Sequence, residues 1–330
     1  MTAQSMARAR GIRLVLIAVL AVAAPAFSQA YPARPIRMIT PFPPAGSLDV
    51  VGRAVVSRLS AAMGQPVVLE NRPGAGGVIG TEAVARSAPD GYTLLLSSAS
   101  THSIAPALNP KLPYDPIRDF TPVIEITPGG ISVLIVAPSA PWKNAGEMIA
   151  FARANPGRLS FGTGGVGTVP HLTTSALAAY AGLELLHVPY KGAALVMPDL
   201  MAGRVSFMFD SIISAQSHVQ GGKVRALGVS GGRRSALLPE IPSLPESGLP
   251  GFEPPGAYMG LWGPAALPAP VTARLNGEMN RMLQSPDMHE QMSRLGIEAA
   301  GGTPEAFGEH VRLDRIRWTE VVAKTGLKLE

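Results

Sequence analysis

A glycine-rich stretch near the middle of the chain has the residue types of an anion-binding loop. Gly162, Gly164 and Gly167 follow a predicted strand with G-x-G-x-x-G spacing, and a predicted helix comes directly after them. Such a loop brings backbone N–H groups to a helix N-terminus, where the helix dipole favours negative charge. The residues expected to contact an anion here are Gly164, Gly165, Val166, Gly167, Thr168 and His171.

The same spacing occurs in dinucleotide-binding folds, which also need an acidic residue at the carboxyl end of the second strand. Glu184 is the acid nearest the required distance, but it precedes the second predicted strand, and Pro189 follows that strand. The acid is therefore at the wrong end of the strand. We expect an anion-binding loop without a nicotinamide or any other cofactor.

A second candidate loop, residues 41–49, joins the first predicted strand to the first predicted helix. Ser47 is expected to be the helix N-cap, with Asp49 in the first turn. The helix terminus would still offer backbone N–H groups to a carboxylate, and Gly46 would let a ligand approach the backbone closely. The residues expected at the site from this loop are Phe42, Ala45, Gly46, Ser47 and Asp49.

Three further polar residues, Ser98, His102 and Asp210, lie at or just beyond the ends of predicted strands. Ligands of α/β sheets collect at the carboxyl ends of strands. For His102 and His171 the sequence leaves two roles open, ligand contact or capping and packing. Asp210 is expected either to accept a hydrogen bond from a ligand hydroxyl or amine, or to cap a helix that starts near Ser211. The histidines lack metal-ligand spacing, so no metal site is predicted.

A G-x-S-x-G motif around Ser230 suggests an alternative function, a secreted α/β hydrolase. Asp287 and His310 follow it in the order that such hydrolases use. The nucleophile elbow of these enzymes needs a helix after the serine, whereas Gly231, Gly232 and two arginines follow here. The motif therefore favours a surface turn, and hydrolase activity stays an alternative.

The first thirty residues resemble a secretory signal. Three arginines precede an apolar run at residues 14–24, and Ser28-Gln29-Ala30 has small residues at both positions that a signal peptidase requires. The apolar run is shorter than the roughly 20 residues of a membrane-spanning helix. We expect cleavage after Ala30 and release into the periplasm, because the chain has no Cys to carry a lipid.

Composition narrows the possible partners and the fold class. The whole chain carries a formal charge of +5, but without the leader 25 basic residues face 23 acidic ones, so nucleic-acid binding has no support.

With 330 residues and 46% apolar composition, the chain is long and apolar enough for about two folded domains. Predicted strands alternate with helices in two sets, which indicates α/β layering. Strands are predicted at 36–40, 67–70, 93–96, 131–136, 159–161, 185–188, 205–209 and 224–229, and helices at 47–63, 79–87, 145–154, 170–180, 270–283, 286–295 and 304–325. The run at 131–136 is expected to be a buried parallel strand, and residues 239–270 an extended connection.

Motifs throughout residues 31–330 resemble the Bug-type substrate-binding proteins of tripartite tricarboxylate transporters. The resemblance rests on Pro41-Phe42-Pro43 with Gly46 and Asp49, on the segments 70–77, 88–94, 112–116 and 187–192, and on Thr101-His102, Asp119-Phe120, Asp199-Leu200, 203–205 and Phe209-Asp210. It implies a periplasmic-binding-protein-like fold of two α/β lobes, each with a mainly parallel sheet flanked by helices. Lobe 1 would comprise residues 31–127 and 255–330, and lobe 2 residues 128–254.

The resemblance also implies a function. A small carboxylate would be held in the cleft between the lobes by backbone amides and waters of the two loops, and a monomeric protein would deliver it to membrane permease subunits. A sensor that reports the carboxylate to a signalling partner is the alternative within the same fold. Ser47, Phe161, Thr163 and Thr168 depart from the family's usual loop residues, so the resemblance leaves the particular carboxylate open.

Overall fold

The computed structural model describes residues 31–327, and these residues form two five-stranded sheets. The predicted leader at residues 1–30 lies outside the described residues. The strands are β1 (Ile36–Thr40), β2 (Val67–Asn71), β3 (Thr93–Ser98), β4 (Phe120–Thr127), β5 (Ser132–Val136), β6 (Ser160–Thr163), β7 (Leu186–Pro189), β8 (Phe207–Ser211), β9 (Arg225–Val229) and β10 (Met259–Pro264).

Each sheet has one strand that runs against the others. The first sheet has the order β2-β1-β3-β10-β4, in which β10 is antiparallel to both of its neighbours. The second sheet has the order β7-β6-β8-β5-β9, and there β5 is the antiparallel strand. The sheets are therefore mixed, with the other strands of each sheet running in one direction. The fold class predicted from the sequence, a two-lobed α/β fold, is confirmed.

Helices flank both sheets. They are α1 (Ser47–Met63), α2 (Val78–Ala85), α3 (Ala105–Leu108), α4 (Ala145–Ala154), α5 (Val169–Ala181), α6 (Met197–Met201), α7 (Ile212–Gln220), α8 (Ala269–Leu283), α9 (Pro286–Arg294) and α10 (Pro304–Thr325). Apolar side chains recur along one face of α1, and three of them, Val51, Val55 and Leu59, are inaccessible to solvent. Within residues 31–327, no helix is both long and apolar enough to span a membrane.

Three predictions about strands were wrong. The run at 131–136 is a buried strand, β5, but it is antiparallel to β8 and β9; burial on both faces makes a strand apolar throughout whichever way its neighbours run. Strand β4 was missed because Pro122 disrupts its pattern, and its position at a sheet edge tolerates that proline. Strand β10 lies inside the stretch predicted to be a connection, because the surrounding Pro and Gly concealed its short apolar run.

Two aromatic-rich cores hold the layers together. Phe161, Phe207 and Phe209 pack with aliphatic side chains beneath the second sheet. In the core beside the first sheet, Trp262 and Trp318 pack with Phe307. Helix α10 lies against both β4 and α5. Helix α10 thus contacts elements of both sheets.

An ion pair between His310 on α10 and Glu125 on β4 should make stability depend on pH. His310 Nδ1 lies 2.6 Å from Glu125 Oε1, and this hydrogen bond is the main cause that raises the pKa of His310. A raised folded-state pKa stabilises the fold at pH values below the ordinary histidine pKa, and that stabilisation is lost as the pH rises through the folded-state pKa.

We expect His310→Gln to lower the free energy of unfolding by up to about 1 kcal/mol more at acidic than at alkaline pH. Urea unfolding of both proteins at about pH 5.5 and about pH 8.5 measures this; an equal difference at both values would contradict it.

Candidate functional site

A cavity of about 120 Å³ lies between the two sheets, and we call it the inner cavity. Its volume is well below the roughly 300–1,000 Å³ of pockets for drug-sized ligands, so it suits a small metabolite. Three helices begin at its wall, because residues at or next to the N-termini of α1, α5 and α7 line it. The lining comprises Phe42, Pro43, Pro44, Gly46, Ser47, Leu48, Ser98, Ser100, Gly130, Ile131, Ser132, Gly164, Thr168, Val169, Pro170, Gly192, Ala193, Ala194, Asp210, Ser211, Ala257 and Met259.

The start of α1 differs in one respect from the sequence prediction. Gly46, not Ser47, is the N-cap, and Ser47 is the first helical residue, so the prediction that Ser47 caps the helix was wrong. Because glycine has no side chain, no side-chain hydrogen bond caps this terminus. The first backbone N–H groups of an α-helix have no partner within the helix. At the start of α1 these N–H groups lie at the inner cavity, where they can donate hydrogen bonds to an anion.

The loop before α1, residues 41–46, is held in place by a buried carboxylate. Asp49 Oδ2 accepts hydrogen bonds from the backbone N–H of Ala45 at 3.1 Å and from Arg53 at 2.8 Å. The amide of Asn71 donates to both Asp49 Oδ1 and the Phe42 carbonyl, each at 3.0 Å. Burial alone would raise the pKa of Asp49, but the hydrogen bonds from Arg53, Ala45 and Asn71 lower it. Asp49 therefore positions the loop and stays ionised.

The glycine loop, residues 162–168, is fixed by hydrogen bonds around the carbonyl of Gly165. The hydroxyls of Thr168 and Thr163 donate to that oxygen at 2.8 and 3.2 Å. The N–H of Gly167 donates to Nδ1 of His171 at 3.2 Å. Burial, with a smaller contribution from the neighbouring His187, lowers the pKa of His171 to about 4, so its ring stays neutral and keeps accepting this bond near neutral pH.

Loops that follow strands of the two sheets approach each other closely at two glycines, Gly192 and Gly76. A Cβ on Gly192 would lie 2.5 Å from the ring of Pro43, and a Cβ on Gly76 would lie 2.6 Å from the carbonyl oxygen of Val166. In each pair one residue follows a strand of the first sheet and the other follows a strand of the second. The absence of side chains at these positions permits the close approach, so the structure has a closed cleft.

A larger space of about 710 Å³, the outer cavity, adjoins the inner one. Both cavities share Phe42, Pro43 and Gly164 in their lining. Lys111 and Lys191 line the outer cavity only. The basic side chains thus lie outside the space that the helix N-termini surround.

The structure brings half of the predicted site residues to the inner cavity. Those in its lining are Phe42, Gly46, Ser47, Ser98, Gly164, Thr168 and Asp210. Gly165, Val166 and Gly167 line the outer cavity instead. Ala45, Asp49 and His171 are absent from both linings and act on the two loops through the hydrogen bonds described above.

His102 lies in the core of the first sheet. Its ring is inaccessible to solvent and stacks on Trp262 with the ring centroids 4.1 Å apart. Its Nδ1 hydrogen-bonds the hydroxyl of Thr101 at 2.9 Å. Burial lowers the pKa of His102 to about 3, so the ring is neutral. These contacts match the packing role that the sequence left open.

Asp210 is the last residue but one of β8 and lines the inner cavity, and its neighbour Ser211 caps the helix that follows. The hydroxyl of Ser211 accepts from the N–H of Ile213, so Ser211 is the N-cap of α7. Asp210 Oδ1 accepts the N–H of Ser211 at 2.8 Å. Asp210 is only 4% exposed, although it belongs to the lining.

Ser230 has a structural contact in place of a catalytic one. Its hydroxyl accepts a hydrogen bond from the backbone N–H of Ser132 at 2.8 Å, and turns follow it where an elbow would have a helix. His310 pairs with Glu125, as described above. This hydrogen bond positions Ser132, which lines the inner cavity.

Several lining residues were missed by the sequence analysis. Gly130, Ile131 and Ser132 follow β4, while Ala257 precedes β10, so both segments connect the two sheets. Gly192, Ala193 and Ala194 belong to a turn after β7. None of these residues carries a charge. Only their positions could have indicated them, because they follow strands or lie in the segments that connect the two sheets.

A cleft between two α/β lobes, lined by helix N-termini, defines a solute-binding protein. Residues 51–327 match the family model described as "Tripartite tricarboxylate transporter family receptor". The chain belongs to this family, whose members are periplasmic substrate-binding receptors and not enzymes. The family binds small carboxylates and works with tripartite transporters.

Individual relatives agree with this assignment. The chain is 35% identical over 328 residues to Protein BugT of Bordetella pertussis, covering 99% of this chain and 100% of that protein. The structure of the periplasmic binding protein BugD is similar with a TM-score of 0.86 and 34% identity, over 91% of this chain and 100% of BugD. MatC from Rhodopseudomonas palustris with bound malate has a TM-score of 0.83 and 32% identity, over 88% and 100% of the two chains.

Proposed function

We propose that this protein captures a small carboxylate in the inner cavity and delivers it to the membrane permease of a tripartite transporter. One observation carries the proposal: helix N-termini meet at a small cavity, and none of the residues within 31–327 that line it is Lys or Arg. Backbone N–H groups and helix dipoles then provide the positive potential for an anion. The ligands of structural relatives, malate in MatC and adipate in a second R. palustris protein, support a carboxylate.

Binding is tested by a thermal-shift screen of mono-, di- and tricarboxylates, each paired with its neutral methyl ester. A ligand at 100 times its dissociation constant stabilises the folded state by about 2.7 kcal/mol. For a protein of this size we expect a rise in melting temperature of about 5 °C. The ester should produce no shift, because it lacks the negative charge. Equal shifts from acid and ester would contradict the proposal.

Delivery is tested in cells that lack the gene. Loss of uptake of the carboxylate found in the screen, restored by the intact gene, supports transport. Unchanged uptake of a ligand that binds the purified protein would overturn delivery and favour the sensor role.

We further propose that the chain is exported and cleaved after Ala30, and that the mature protein is a monomer. Its first lobe comprises residues 31–127 and 255–330, and its second lobe residues 128–254. The basic residues and apolar run of the leader support export. The lobe boundaries follow the sheets, since the strands of the second sheet all lie between β4 and β10. N-terminal sequencing of protein from an osmotic-shock fraction should begin at Tyr31; intact residues 1–30 in a membrane pellet would refute cleavage.

A further inference from the structure

Of the described residues that line the inner cavity, one has an ionisable side chain, and it is an acid. Apart from Asp210, the residues that line it are apolar side chains, hydroxyls and glycines. A carboxylate ligand would therefore share a small space, lined largely by apolar side chains, with a second carboxyl group. Two carboxylates in one such site do not both stay ionised, because their mutual repulsion raises one pKa strongly.

Among residues 31–327, the elements that pack around Asp210 supply no cation that pairs with it. Strand β8 pairs with β5 and β6, and neither strand has a titratable residue. Helix α5 packs on β8 and contributes the neutral His171, while α7 has His218 in its last turn, away from the N-terminus near Asp210. Helix α1 packs on α7 and carries two arginines, of which Arg53 is paired with Asp49 and Arg58 hydrogen-bonds Gln291.

The electrostatic surroundings of Asp210 agree with this geometry. Burial raises the pKa of Asp210, and hydrogen bonds from Ser214 and from the Ser211 N–H partly oppose this effect. The resulting pKa of Asp210 is about 6. The protein without ligand thus has a mixture of protonated and ionised Asp210 near neutral pH. A bound anion would shift the mixture further toward the protonated form.

We infer that the inner cavity binds its carboxylate together with one proton, which Asp210 holds as a hydrogen-bond donor to the ligand. This inference rests on the proposed function and adds to it the protonation state of the site. The protonated carboxyl donates its O–H to a ligand carboxylate oxygen, so the pair carries one negative charge in place of two. The helix N-termini then need to neutralise only that single charge.

The inference fixes the sign of the pH dependence. Below the pKa of Asp210 in the free protein, the proton is already bound and affinity should be independent of pH. Above that pKa each binding event must take up a proton from solution, so affinity falls up to about tenfold per pH unit. A ligand that instead used an ammonium group to pair with ionised Asp210 would show the opposite trend, with affinity rising as the pH rises.

The test is titration calorimetry of the mature protein with a carboxylate from the screen, between about pH 7 and about pH 8.5, where the ligand is fully ionised. Each titration is repeated in two buffers of different ionisation enthalpy, which measures the protons taken up. The wild-type protein should take up close to one proton per ligand, and its affinity should fall about tenfold per pH unit. Asp210→Asn, which keeps the size of the side chain and an N–H donor, should take up none and bind with constant affinity.

Each other outcome overturns a distinct claim. Zero proton uptake by the wild-type protein, or uptake that persists in Asp210→Asn, overturns the inference, as does affinity that increases with pH. Zero uptake by the wild-type protein, or affinity that increases with pH, overturns the inference even if the variant fails to fold. If no carboxylate binds at any pH, the proposed function itself fails, and the inference with it.

Discussion

Gly46→Val should reduce carboxylate affinity by at least about 100-fold, or about 2.7 kcal/mol. Gly46 lines the inner cavity with φ −82° and ψ 169°, an extended conformation that valine also adopts. An added Cβ would come no closer than 3.7 Å to any neighbouring atom, the carbonyl oxygen of Pro43. The fold should therefore accept the side chain, while its bulk keeps a ligand away from the N–H groups of α1.

Two comparison variants isolate this effect. Gly129→Val makes the same change at an exposed glycine with no atom near its Cβ, and it should leave affinity unchanged. Thr168→Ala removes a hydroxyl that donates to the Gly165 carbonyl, so it should weaken binding by only about 0.5–1.5 kcal/mol, the net value of one hydrogen bond. Titration calorimetry measures all three. If Gly46→Val binds like the parent while Lys191→Ala loses all affinity, the backbone mechanism is wrong and a salt bridge holds the ligand.

Gly165→Val should also impair binding, but it tests the mechanism less cleanly. Gly165 has φ +135°, a conformation that side chains rarely adopt, so any substitution there strains the loop itself. Loss of affinity would then combine a distorted glycine loop with lost space for the ligand.

Gly76→Ala should prevent the cleft from closing and lower affinity by roughly 10- to 100-fold, since overpacking costs about 1–3 kcal/mol. Its Cβ would lie 2.6 Å from the carbonyl oxygen of Val166, which belongs to the opposite side of the cleft. Backbone atoms at that distance must move apart. The lobes should therefore rest in a more open arrangement even with ligand present.

Gly222→Ala is the matched control for this change. Gly222 has φ +66°, against +64° for Gly76, and nothing lies within 4 Å of its Cβ. Both variants should lose similar stability in urea unfolding, because both place alanine in the left-handed region. Only Gly76→Ala should lose affinity and show a larger radius of gyration by solution scattering with saturating ligand. Equal affinities for the two variants would refute a closure contact at this position.

The sequence predicted the elements that carry their own local pattern. The helices at 47–63, 145–154 and 304–325 have the bounds predicted for them. The two loops at the cavity were predicted because each joins a strand to a helix N-terminus, where glycine permits close approach. That argument needs only neighbouring residues, and for that reason it worked without the fold.

Features that depend on contacts between distant residues escaped prediction. Strand β10 pairs with β3 and β4, more than a hundred residues away in sequence, and its own segment resembles a loop. The role of Asp49 depends on Asn71, which reaches it from the end of β2. Whether His102 contacts a ligand or packs in the core depended on Trp262, which stacks on it from β10.

A crystal structure of the mature protein with its carboxylate tests the central claim most directly. We predict that a ligand carboxylate oxygen lies about 2.7–3.2 Å from backbone N–H groups at the N-terminus of α1 or α5, inside the inner cavity, with no Lys or Arg in contact. A ligand carboxylate held in the outer cavity by Lys111 or Lys191 would contradict the account.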